Sequence, residues 1–489
     1  MATAESAPGL GVRTLRGVLW NYGSYIGGRT LVLISTAVLA RLLSPREFGL
    51  VAIAITAMVL MDAVGDLGVT QALVISKADE LYERAETALV ASIALGALLS
   101  AITAALGPLA ASFFSDDRLT AIVPVLGARF FLRSLGATHF ALAQRQINFR
   151  ARAGAEFADV SVRGVTGIVL ALSGFGVWSL VVGYLAGTAA RVITLWVLIT
   201  WRPRLSPSMH HLRSMLRFGG TVSAVDVIAD IGANVDNAFV GRLLGSAALG
   251  LYSIAYRLPE LLILNLATVA GEVLFPAFAT ADRQDLRRGF VVSLRYTLIV
   301  GVGLSVGLAV LAEPFLLALF GPKWGGSVTA MRVLSVFALA VTVGIPAGTV
   351  YKAIGRADIV LKMAIPRLIL LVPLLALFVD QGIVAAALCQ AGVAVAGDLF
   401  GIALASRLLS VPARVLWLNA RPAVLAALGA GVGMWIVQHT IHTAWLALVV
   451  GVSEGVTVYL GLIFVLAPEV LDTLIGALRR TATPPTAVS

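Results

Sequence analysis

Apolar runs of about 20 residues follow one another along almost the whole chain, separated by short segments rich in charge, Gly or Pro. No other feature constrains the fold as strongly. A helix of about 20 apolar residues matches the hydrocarbon thickness of a bilayer. Backbone surrounded by lipid must also close its hydrogen bonds internally, which a single short segment achieves only as a helix. Fourteen such runs are legible, at 18–40, 48–68, 88–110, 119–142, 154–174, 178–200, 216–239, 248–279, 290–312, 327–351, 360–379, 384–405, 422–438 and 444–467. The chain is 59% hydrophobic and 13% charged, with a mean hydropathy of +0.95. A soluble domain is about 45–50% apolar and about 25% charged. The sequence therefore predicts an all-α polytopic membrane protein of about 14 transmembrane helices. It excludes a soluble enzyme, a DNA-binding module and a secreted scaffold.

Charge supports the same map. With the N-terminus in the cytoplasm, 22 of the 36 Lys and Arg residues fall on the cytoplasmic side. Arg41, Arg46, Arg118, Arg242 and Lys323 fall outside, and 9 lie within spans. Such asymmetry over short loops sets orientation, so both termini are expected in the cytoplasm. The formal net charge of +10 then belongs to topology and not to nucleic acid. No basic residue precedes the first apolar run within Met1–Val12, so no cleavable signal peptide is expected. The single cysteine, Cys389, excludes an intrachain disulfide. His439 and His442 alone fall short of a zinc ligand set. No metal and no cofactor is expected.

The chain also repeats itself. Arg41-Leu42-Leu43, Gly49-Leu50 and Ile53-Ala54 recur as Arg242-Leu243-Leu244, Gly250-Leu251 and Ile254-Ala255, a constant offset of 201 residues with 7 of 14 positions identical. Leu15-Arg16 falls on Leu216-Arg217 at the same offset. Both copies sit at the outer end of a span pair, six spans apart, so the halves share one orientation. Parallel repeats about an axis along the membrane normal are an architecture of transporters.

Several patches resemble the bacterial polysaccharide transporter family of lipid-linked oligosaccharide flippases. They are Ala40 to Ala52, Asp66-Leu67-Gly68-Val69, Gln144 to Phe149, Gly174 to Val181, Asn234-Val235-Asp236, Val240 to Gly245, Leu274 to Ala277 and Gly321 to Trp324. The resemblance runs from about Leu15 to Ala405. It implies the multidrug/oligosaccharidyl-lipid/polysaccharide exporter superfamily, with two six-helix lobes around a cavity lined by helices 1, 2, 7 and 8. The lobes would span 18–210 and 211–410, with helices 13 and 14 at 411–470 added outside them and cytoplasmic ends at 1–17 and 471–489. It further implies that an undecaprenyl-diphosphate-linked oligosaccharide is turned to the outer leaflet, with membrane lipids and polysaccharide polymerase or chain-length machinery as partners.

Charges inside lipid are costly and mark sites unless paired or hydrated. Arg29, Arg129, Arg133, Arg163 and Arg191 map to the interior of first-half spans, with Arg129 and Arg133 on one helix face. Guanidinium forks suit a diphosphate, so these five are the candidate substrate-binding residues. The bland alternative is that Asp62, Asp66, Glu156 and Asp159 neutralise them. Glu156, Asp159 and Arg163 share one face, which favours a pair there. At the repeat offset Arg29 corresponds to Asp230, so the two could pair as a gate across the cavity, or each could pair within its own lobe. Asp62, Asp226 and Asp230 are the candidates for gating or ion coupling. The loops are short, at most about 20 residues by this map, which leaves no room for the aqueous catalytic segment an enzyme would need. The remaining alternatives are a drug or organic-cation extruder of the same superfamily and a non-transporting scaffold for glycan assembly.

Overall fold

The structure is a computed structural model that describes residues 27–65, 69–74, 76, 80–146, 148–204 and 206–469. Among them every regular element is helical, and each of the fourteen apolar runs falls on a helix. Ten helices or helix runs are long and apolar enough to cross a membrane. The helix Phe149–Leu172 is not among them, because even its most apolar stretch, 155–172, carries Glu156, Asp159 and Arg163. The chain divides into two compact units, Met1–Gly250 and Leu251–Ser489.

In the first unit, α1 covers 27–42. The Leu43-Ser44-Pro45-Arg46-Glu47 motif then starts α2 (Pro45–Val64) as a capping box. The Glu47 carboxylate accepts from the Ser44 backbone N–H at 2.7 Å, and the Ser44 side chain accepts from the Glu47 N–H at 3.4 Å. Pro45 at the first helical position has no N–H to leave unsatisfied. The short α3 (Val69–Val74) leads to α4 (Leu81–Phe114), which turns through left-handed Ser115 into α5 (Leu119–Arg145). Asn148 caps α6 (Phe149–Leu172), and its side chain accepts from the Ala151 N–H at 3.0 Å. The Gly174-Phe175-Gly176 turn, with both glycines at positive φ, reverses the chain into α7 (Val177–Leu198). Small residues let these helices approach closely, as expected in lipid: Gly96 lies against Ser134, Gly107 against Pro124, and Gly183 against the Arg163 carbonyl.

Helix α8 (Met209–Phe239) packs on α2 and passes through a π-turn at Val240–Leu244 into α9 (Gly245–Pro259). This is the second copy of the repeat. Gly245, at φ +84°, occupies the place of the Ser44 cap, so the second copy turns by backbone freedom where the first turns by a side-chain cap. The two copies meet. A Cβ on Gly49 would stand 1.6 Å from the Ser246 carbonyl oxygen, and one on Gly250 would stand 1.8 Å from the Pro45 carbonyl oxygen. Pro45 and Ser246, like Gly49 and Gly250, are repeat partners at the 201-residue offset. The crossing is therefore symmetric and open to glycine alone.

The second unit takes up α9 from Leu251, passes a π-turn at Glu260–Leu264, and continues through α10 (Asn265–Ala279), α11 (Arg283–Val310) and the short α12 (Ala312–Leu319). A 3-10 turn that buries Trp324 completely precedes α13 (Val328–Ala353). Then come α14 (Ala357–Phe378), α15 (Ile383–Leu408), α16 (Ala413–Thr440) and α17 (Ala444–Leu466). Helix α11 packs on α13 and α16, and α16 pairs with α17. Cys389 lies in an apolar groove of about 450 Å3 between α14 and α15, lined by Leu370, Leu374, Phe378 and Leu388. Large apolar side chains such as Leu109, Ile193, Val197, Ile369, Leu377 and Val465 stand exposed, as lipid-facing surfaces require.

Candidate functional site

The first-half arginines converge unevenly. Helix α5 presents Arg129 and Arg133 one turn apart, and both reach Asp62 near the end of α2. The Arg129 guanidinium donates to one Asp62 oxygen and is largely buried. Arg133 stands 3.6 Å from the other oxygen with 63% of its side chain exposed. Asp62, singled out for gating, therefore bridges two of the candidate binding arginines. Arg163 donates to both oxygens of Asp159, at 2.7 and 2.9 Å, and lies 4.3 Å from the Tyr184 ring centroid. That is the pairing within α6 that the spacing favoured.

Arg191 is different. Its guanidinium stacks 4.8 Å from the centroid of Phe140, and among the described residues no carboxylate lies within ion-pair distance. Such stacking contributes about 0.5–2 kcal/mol, too little to offset the burial of a cation in lipid. Glu156 and Asp159 attract it at longer range while Arg133 and Arg163 repel it. Together with Arg133, Arg191 lines a cavity of about 230 Å3 walled by α4, α5 and α7 and by Gly65 at the end of α2. The other polar groups on its wall are Ser92, Ser134, Gln144 and Thr188. The Ser134 and Thr188 hydroxyls donate to their own helix carbonyls, which leaves their oxygens able to accept. The Gln144 amide has no hydrogen-bond partner among the described residues, so it can both donate and accept there. Two guanidinium forks beside an amide and hydroxyls supply hydrogen-bond donors of the kind that phosphate oxygens accept well.

Arg29 on α1 and Asp230 on α8 are half-buried, and each engages a neighbouring group. Asp66 and the side chain of Asp226 lie outside the described residues. Phe140, Gln144 and Thr188 were not singled out as site residues from the sequence. Thr188 lies one turn before Arg191, a spacing that would have found it. Phe140 would not have stood out, because an aromatic in an apolar run carries no signal. In the second unit the charges pair among themselves: Arg257 with Glu260 at 3.1 Å, Arg367 with Asp398 at 3.6 Å and Arg295 with Glu469 at 3.0 Å. Glu454, central in α17, rests against Gly433 of α16. It is an acidic group inside the last apolar run, 444–467.

The sequence pattern of a family described as polysaccharide biosynthesis protein matches residues 38–329. The chain belongs to that family. This polysaccharide biosynthesis protein is 27% identical over 477 residues to the succinoglycan biosynthesis transport protein ExoT of Rhizobium meliloti, covering 95% of each chain. It is 26% identical over 369 residues to the lipopolysaccharide biosynthesis protein WzxC of Escherichia coli, covering 74% of each. Among solved structures it resembles the lipid II flippase MurJ in an inward closed conformation, with TM-score 0.77 and 13% identity, over 93% of this chain and 100% of that one. It also resembles an inward-facing multidrug resistance MATE transporter, with TM-score 0.66 and 18% identity, over 78% of this chain and 94% of that one. These likenesses give the polysaccharide biosynthesis protein the fold of the multidrug/oligosaccharidyl-lipid/polysaccharide superfamily. Arg129, Arg133, Arg163 and Arg191 all lie within the matched region, and Arg29 precedes it.

Proposed function

We propose that this membrane protein is a flippase. It turns a polyprenyl-diphosphate-linked oligosaccharide, the repeat unit of a surface polysaccharide, from the cytoplasmic to the outer leaflet by alternating access. The observation that carries the reading is Arg191, a guanidinium with no ion-pair partner among the described residues, which stands with Arg133 on one polar cavity wall. A drug extruder for cations would have no use for it. The near full-length likeness to a succinoglycan transport protein supports the same substrate class. In this reading Arg133 and Arg191 take the diphosphate, Arg129 holds Asp62 in place, and Gln144 and Thr188 meet the first sugar. Arg163 keeps α6 and α7 together. Arg29 and Asp230 form the gate, with Asp62 and Asp226 as further gating or ion-coupling groups.

The proposal includes fourteen spans in two six-helix lobes with both termini cytoplasmic. Reporters fused at Gly326 and His442 should then read external, and one after Thr481 cytoplasmic. The deciding experiment is reconstitution. Purified protein in liposomes should render a labelled lipid-linked oligosaccharide accessible from the opposite leaflet, and Arg191→Ala protein should lose that activity while inserting normally. Transport of organic cations without lipid flipping would refute the reading.

A further inference from the structure

From Leu399 to Ser453 the chain contains no Asp or Glu, yet it carries Arg407, Arg414 and Arg421. Two of these lie on one helix face. In α16, Arg414, Trp417, Leu418 and Arg421 follow i, i+3, i+4, i+7 spacing, which stacks them on a single stripe. All four are exposed, Trp417 at 61%. None of the three arginines has an acidic partner among the described residues. The stripe also sits at a defined depth. Helix α16 has 28 residues and is about 42 Å long at 1.5 Å per residue, against a hydrocarbon core of about 30 Å. Its apolar stretch is 422–438, which leaves the turns bearing Arg414, Trp417 and Arg421 at headgroup level. Exposed tryptophan is the side chain suited to that layer, its ring toward the acyl chains and its N–H toward water.

We infer that this stripe is a binding site for anionic phospholipid of the surrounding bilayer. A headgroup phosphate would sit between the Arg414 and Arg421 guanidinium groups, with Trp417 packed against the glycerol and first acyl carbons. Charge complementarity selects this occupant: an exposed cationic stripe in the headgroup layer attracts lipids of net negative charge. A second protein would more naturally meet a mixed-charge surface. The inference does not depend on what the protein transports.

The test uses the full-length protein in vesicles of phosphatidylcholine containing a fixed fraction of phospholipid brominated on its acyl chains. The emission lost in wild type but not in Trp417→Phe reports the lipid next to Trp417. Brominated phosphatidylglycerol should quench this component more strongly than brominated phosphatidylcholine at the same mole fraction. The preference should fall roughly fivefold for each arginine removed in Arg414→Gln and Arg421→Gln. It should largely survive Arg→Lys exchange at either position and shrink at high salt. Equal quenching by the two lipids, or a preference unchanged in the Gln variants, would overturn the proposal. So would displacement by a polyprenyl diphosphate well beyond that by phosphatidylglycerol at equal charge, because the occupant would then be substrate. Quenching by neutral lipid at wild-type level in every variant controls for correct insertion.

Discussion

Gly49→Ala tests the repeat crossing at its tightest point. The added Cβ would lie 1.6 Å from the Ser246 carbonyl oxygen, whereas real Cβ contacts do not fall below 3.0 Å. The obstacle is backbone, so no rotamer change can relieve it, and α2 must part from the start of α9 by about 1.4 Å to reach that limit. Overpacking of this kind costs about 1–3 kcal/mol, equivalent to shifting a two-state equilibrium about 5- to 150-fold. Gly250→Ala meets the Pro45 carbonyl at 1.8 Å and calls for the same two helices to part by about 1.2 Å. The double variant should therefore cost clearly less than the two single ones together, because one displacement accommodates both methyl groups. The assay is maleimide labelling of Ser246→Cys on a Cys389→Ala background, beside a thermal melt followed by tryptophan emission. Faster labelling and a lower melting temperature in each single variant, with sub-additivity in the double, is the expected result. Wild-type labelling and melting in Gly49→Ala would refute the reasoning, since the helices could not then be touching as described.

Other outcomes follow from the charged groups. Arg191→Ala should reduce flipping at least tenfold and Arg191→Lys should recover it only partly, because a point charge lacks the planar fork and stacks less well on Phe140; transport kinetics in liposomes are the measure. Asp62→Asn should lower the thermal stability of the protein by leaving Arg129 largely buried beside a neutral amide, and a melt with Arg129→Gln added should recover part of the loss. If Arg29 and Asp230 form a gate, a double-mutant cycle on thiol accessibility should show coupling, and strict additivity would remove the pair. In the loop after α4, the Arg118 guanidinium, hydrogen-bonded to Asp116, holds that carboxyl below its ordinary value of 3.8. Its contribution is thus fully present above that value and fades only as pH falls through the lower folded one; Asp116→Asn should weaken the protein at pH 5 and narrow the gap to wild type under strongly acidic conditions.

The helices were legible because lipid imposes one physical test on every segment, and apolar length answers it. Arginine placement is what the proposed orientation rests on. The short α3 and α12 escaped notice because neither is long enough to register as a span. The two π-turns, Val240–Leu244 and Glu260–Leu264, leave no mark in an apolar pattern. At the site, spacing placed Arg129 and Arg133 on one face and joined Asp159 to Arg163. It could not tell that Asp62, 67 residues before Arg129, would take both α5 arginines. That depends on how α2 and α5 are rotated about their axes, which local periodicity does not fix. The repeat was visible as identity at a fixed offset, but the contact between its two glycines was not, since only the backbone geometry reveals that no side chain fits there.

Helix α4 has a practical consequence. Its 34 residues extend about 51 Å at 1.5 Å per residue. Tilts of membrane helices reach about 40°, and even at that extreme α4 would span about 39 Å along the normal, more than the hydrocarbon core of about 30 Å. Some part of it therefore passes beyond the hydrocarbon core as continuous helix, and at the average tilt of about 20° its span of about 48 Å exceeds even the roughly 40–45 Å that includes the headgroups. A projecting rigid rod on a protein with few aqueous features is a natural mount for a fiducial: a helical fusion grown in register from its end, or a nanobody raised against it, would move with the protein and give electron microscopy a landmark outside the detergent belt.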